Sequence, residues 1–114
     1  TLPGYYAAGG IAVKIRAMAS SATSGAARVG VSWERRNTDQ DADSFATEKQ
    51  VSLTADATSG VIFEGTISFT NAEIDGLLAG EEFRLKFTRD ADGTGGTDDM
   101  AGDLELVALI GTEA

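Results

Sequence analysis

The sequence has 114 residues, enough for a single domain (1–114) whose core needs no covalent staple. It has neither cysteine nor histidine, which removes disulfides, thiolate and imidazole metal sites, cysteine nucleophiles and serine–histidine pairing. A net charge of −9 argues against nucleic acid or an anionic membrane as partner, and no apolar run approaches the roughly 20 residues of a spanning helix. The opening TLPG, without Met or a basic-then-apolar leader, reads as a processed or partial end. Five cations (Lys14, Arg16, Arg28, Arg35, Arg36) stand against Glu34 alone up to residue 36, whereas four cations face seventeen acids beyond it. A basic patch beside acidic loops can help a subunit meet a charged neighbour, although solubility explains the acidity equally well.

In chain order the dominant signal has period two. Ile11, Val13, Ile15 and Ala17 alternate with Ala12, Lys14, Arg16 and Met18. After the turn SSATSG (20–25), Val29, Val31 and Trp33 alternate with Arg28, Gly30, Ser32 and Glu34. An acidic loop, NTDQDADS (37–44), leads to Val51 and Leu53. ADATSG (55–60) separates these from Val61, Phe63, Gly65, Ile67 and Phe69. Each run places one side-chain set on a core face and the other in water. NAEIDGLL (71–78) breaks the pattern. Asn71 suits an N-cap, Glu73 and Asp75 suit the first turn, and Ile74, Leu77 and Leu78 fall at helical spacing before Gly80. It reads as a short helical segment joining two strands.

Phe83, Leu85 and Phe87 then alternate with Arg84, Lys86 and Thr88, and the longest loop follows, TRDADGTGGTDDM (88–100). In the last strand Leu104, Leu106, Ala108 and Ile110 form one face and Glu105, Val107 and Leu109 the other, so both faces are largely apolar. Such a strand is covered on both sides. The cover is either the N-terminal segment Leu2-Pro3-Gly4-Tyr5-Tyr6 or a second subunit. The expected fold is all-β, an antiparallel sandwich or barrel with one short helical turn near 71–78.

Candidate chemistry is sparse. Counted from Asp90, an EF-hand loop is matched by Asp90, Asp92, Thr94, Gly95 and Asp98 but fails at its twelfth position, Ala101. The D-x-D-x-D run Asp39, Asp41, Asp43 has Ser44 where the sharp-turn glycine belongs. Glycoside hydrolysis needs a carboxylate pair, but Glu64 and Glu105 are the acids centred in strands and both fall on wet faces. Sugar-stacking modules need exposed aromatics, yet Trp33, Phe63, Phe69, Phe83 and Phe87 share the core parity, leaving Tyr5, Tyr6 and Phe45. Arg89 is placed to pair with Asp98, Asp99 or Asp103 and pin the long loop, because its planar fork meets a carboxylate bidentately. No catalytic, metal or cofactor-binding residue emerges.

The stretches GGIAVKIRAMASSATSGAARVGVSWERR, DQDADSFATEKQ and TISFTNAEIDGLLAGEEFRLKFTRDADGTGGTDDMAGDLELVALI resemble a group of small jelly-roll domains among tailed-bacteriophage virion proteins. The likeness lies in strand, Ser/Thr/Gly turn, Trp-bearing strand, Asp-rich loop and closing phrase, and it covers nearly the whole chain. It implies a jelly-roll-like sandwich and a structural, non-enzymatic role without cofactor at the virion surface, after assembly in the host cytoplasm. It also implies a homotrimer that binds the major capsid protein or other virion proteins as a capsid decoration (cement) protein. The alternative is a glycan- or receptor-binding domain at a fibre or tail tip. Expected contact residues are Val107, Leu109, Tyr5, Tyr6, Lys14, Arg16, Arg84 and Lys86, with Arg89, Asp99 and Asp103 pinning the loop.

Overall fold

The computed structural model describes residues 1–36 and 45–114; the Asp39/Asp41/Asp43 run lies outside the described residues. Six strands carry the fold: β1 (Ile11–Ala19), β2 (Ala26–Arg35), β3 (Lys49–Thr54), β4 (Phe63–Phe69), β5 (Phe83–Arg89) and β6 (Leu104–Glu113). They form two three-stranded antiparallel sheets, ordered β4-β1-β6 and β3-β2-β5. The chain is therefore all-β, as the period-two pattern requires. β4 returns to pair with β1, while β2 and β3 lie in the other sheet. The sheets are small and do not close into a barrel. No described helix is long and apolar enough to cross a membrane.

The alternating residues decide the layering. Val13, Ile15 and Ala17 of β1 face Val29, Val31 and Trp33 of β2, with Leu53, Phe63, Ile67 and Phe69 completing a buried core. Trp33 is its aromatic centre, edge-on to Phe69 at 5.9 Å and tilted against Phe83 at 4.9 Å. β3 and β4 lie against one another along one side, where Gly65 leaves room for Leu53. A Cβ at Gly65 would stand 2.3 Å from the Leu53 Cδ2.

The helical expectation for 71–78 shrinks to one 3-10 turn, Ala72–Ile74. Asn71 does not cap it. Thr70 and Glu73 do, in a reciprocal capping box: the Glu73 N–H donates to Thr70 Oγ1 and the Thr70 N–H to Glu73 Oε1. Asp75 and Gly76 then adopt positive φ and end the turn, while Ile74 and Leu77 are buried.

β6 departs from simple alternation. Its register on β1 shifts between Arg16 and Ala17, so Arg16 faces Ala108 but Ala17 faces Leu106, with Val107 bulged between them. Leu104, Leu106 and Leu109 therefore share the inward parity. Leu109 packs against the core and Ile110 turns outward at 43% exposure, opposite to the faces expected from the sequence.

Candidate functional site

The long acidic loop is built from its own hydrogen bonds. The Asp90 carboxylate accepts from the N–H groups of Thr94 and Gly95. Asp92 accepts from the Thr94 N–H and hydroxyl, and these bonds, with one shared with Asp90, lower its pKa to about 2. The two carboxylates face the loop's backbone, and the described residues include no group of three or more acids set to hold a metal ion. Arg89 does pin the loop, but through Asp98. Arg89 Nε donates to Asp98 Oδ2 at 3.0 Å and Nη2 to Oδ1 at 2.9 Å, and the same guanidinium reaches the carbonyls of Met100 and Gly102. These bonds hold Asp98 below the usual carboxylate range. Asp99 anchors to backbone instead, accepting the Ala26 N–H at 2.7 Å. Asp103 contributes its carbonyl, which accepts from the Ser20 N–H, and a longer-range charge on Arg89. Of the three acids expected to pair with Arg89, Asp98 is the one that does so, and Asp99 and Asp103 hold the loop by other bonds.

The expected contact residues do not form one patch. Lys14 and Arg16 stand on the outer face of β4-β1-β6, where Lys14 is exposed and Arg16 pairs with Glu64 at 3.0 Å. Arg84 and Lys86 stand on the outer face of the other sheet. Arg84 pairs with Glu34, and both cations lie over the Phe45 ring. Val107 is 45% exposed at the bulge, while Leu109 is half-buried on the inward side. Tyr5 is exposed, but Tyr6 is a core residue. Its hydroxyl donates to Asn71 Oδ1 at 2.5 Å and accepts the Gly10 N–H at 3.1 Å, which makes it a tether and not a free surface group.

The N-terminal segment covers a different place from the one expected. Leu2 is buried and bonds to residues 80 and 81 just before β5, and Val107 stays 45% exposed. It leaves a pocket of about 260 Å³, lined among others by Tyr5, Trp33, Phe83 and Glu113. Trp33 Nε1 is buried without a hydrogen-bond partner among the described residues.

Glu34 and Ser32 are a surprise. Both lie on the side of β2 expected to be wet, and both are buried. The segment after residue 44 covers them: the Ala46 N–H donates to the Trp33 carbonyl, and Glu48 lies over Gly30 while accepting from Thr88 Oγ1. A glycine inside a strand signals such a close approach, and Gly30 was the available clue.

No protein-family model, curated protein or solved structure matches this chain.

Proposed function

We propose that the chain is a bacteriophage virion structural protein, a capsid decoration protein of reduced jelly-roll type that assembles as a homotrimer on the major capsid protein lattice. The observation that carries this reading is the apolar last strand. β6 keeps Leu106, Val107 and Ile110 exposed together along one strand, a composition suited to burial against other chains. The strand-and-loop likeness to tailed-phage domains supplies the virion setting. The role is non-enzymatic on this reading, and Glu64 is held by Arg16. Added buried area across capsomer junctions would raise shell stability by mass action. Co-sedimentation of the purified protein with empty expanded shells of a tailed phage tests the reading. Saturable binding and a higher shell melting temperature are expected; no binding to any such shell overturns it.

The pocket beneath Tyr5 favours the second reading, a glycan- or receptor-binding domain of a fibre or tail tip. Its lining joins the exposed Tyr5 to Trp33 and Glu113. Quenching or enhancement of Trp33 fluorescence by oligosaccharides, abolished in Tyr5→Ala, would support it.

A further inference from the structure

Among the described residues the two sheets meet along the β3–β4 side and stay open along the other. There β5 and β6 are edge strands, hydrogen-bonded to β2 and β1 respectively and not to each other. Their inward side chains are Phe83, Leu85 and Phe87 on β5 and Leu104, Leu106 and Leu109 on β6. All six are apolar, yet none is fully buried, and Leu106 is 44% exposed. The same faces of β1 and β2 are fully buried. β6 is ten residues long with no proline and no lysine, two of the residues that most often protect a free edge.

We propose that copies of this chain meet along this open side, β5 of one copy pairing antiparallel with β6 of the next. Charge selects that pairing. On its outer face β5 presents Lys86, beside Arg84 that Glu34 already engages, and β5 has no acid; β6 presents Glu105 on its outer face and has no cation. Pairing β5 with β5, or β6 with β6, opposes like charges, whereas β5 with β6 opposes unlike ones. Setting Lys86 opposite the partner's Glu105 aligns the apolar sets as well. Phe87 then meets the partner's Leu104 and Leu85 meets the partner's Leu106. The bulge at Val107 absorbs one residue, so Phe83 meets the partner's Leu109. The core of one copy continues into the next.

Symmetry permits the contact to repeat. Phe83 lines the N-terminal pocket with Gly111 and Glu113 at one end of the molecule, and Arg89 reaches the Gly102 carbonyl at the other. β5 and β6 therefore run in opposite directions. Rotation about an axis parallel to the strands preserves those directions, so every β5 meets an antiparallel β6 and a small ring closes with neither edge left free. This surface belongs to the homotrimer proposed above and rests on that reading's oligomer alone, independently of what the oligomer binds.

Charge reversal tests it. Lys86 and Glu105 are exposed; K86E gives up the contact of Lys86 with the Phe45 ring, and far-UV circular dichroism checks that both variants fold. Light scattering of the wild-type chain at low salt should give a closed trimer; a closed dimer would keep the pairing and overturn the homotrimer. K86E and E105K should each weaken association by about fivefold per contact, and the double variant K86E/E105K should restore it. Leu106→Ser should dissociate the ring through the apolar half of the contact. A wild-type monomer at high micromolar concentration overturns the proposal, as do charge variants with unchanged association. An intact ring that ignores phage shells would overturn the decoration reading only; shell binding by a monomer would overturn this pairing only.

Discussion

Arg89 and Asp98 form a two-point ion pair at the bottom of the sandwich, with the Asp98 side chain 3% exposed and that of Arg89 20% exposed. Arg89 continues the inward parity of Phe83, Leu85 and Phe87, so a charged side chain ends an apolar row. It can do so because Asp98, Met100 and Gly102 supply acceptors that match its fork. The acidic loop is thereby fastened to the start of β2, where Asp98 also accepts the Arg28 N–H.

Removing Arg89 leaves a buried carboxylate with backbone as its remaining support. Arg89→Ala should cost about 3 kcal/mol in urea unfolding. Arg89→Lys should recover less than half of that loss, because an ammonium cannot make the paired bonds. Equal stability of Arg89→Lys and wild type would show that charge alone, without the fork, holds the loop.

The same pair sets an acid sensitivity. Hydrogen bonds from Arg89, the largest cause, and from the Arg28 N–H lower the Asp98 pKa in the folded chain. A lowered folded value contributes stability that is present above the unfolded value of about 3.9 and is lost as pH falls through the folded value. The melting temperature of wild type should fall between pH 5 and pH 2 more steeply than that of Asp98→Asn. Parallel curves would remove Asp98 from the acid response.

Tyr6 ties the N-terminal segment to the turn after β4 through one hydroxyl that both donates and accepts. Tyr6→Phe keeps the ring and strands the buried Gly10 N–H and the Asn71 side chain. A loss of about 1–3 kcal/mol is expected by thermal or urea unfolding. A neutral substitution would mean that the ring's packing, and not its hydroxyl, holds the segment.

Gly65 faces Leu53 where the two sheets lie closest. Gly65→Ala should destabilise by about 1–3 kcal/mol through overpacking, since Leu53 is fully enclosed and cannot swing away. In a double-mutant cycle, Leu53→Val should relieve part of that cost. Strict additivity would show that the added methyl is accommodated elsewhere.

The strands and most of the core were legible because alternation is a local property. Val13, Ile15, Val29, Val31, Trp33 and Phe69 all lie on the faces their spacing assigns. The burial of Ser32 and Glu34 was not legible, because a polar face covered by a later segment reads the same as a wet one. The pinning role of Arg89 was legible from its position, but choosing Asp98 over Asp99 and Asp103 required the loop's path. Thr70-x-x-Glu73 carried the capping-box signature in plain sequence, yet Asn71, one residue later, has the stronger cap propensity and concealed it.

The β6 bulge is the clearest limit of alternation, because it depends on pairing with β1 and not on β6 itself. Strict period two groups Ile110 with Leu104 and Leu106; the bulge gives that place to Leu109. The two registers predict opposite outcomes. With the bulge, Leu109→Ser should cost about 1–2 kcal/mol in unfolding of the isolated subunit, as for loss of a half-buried leucine. Ile110→Ser should stay within about 0.5 kcal/mol, as for an outward residue. Because Leu109 also lies on the proposed pairing surface, the measurement belongs in the E105K background, where association is weakened. A larger loss for Ile110→Ser than for Leu109→Ser would restore the unbulged strand, reverse the inward set of β6, and displace Leu109 from its place opposite Phe83.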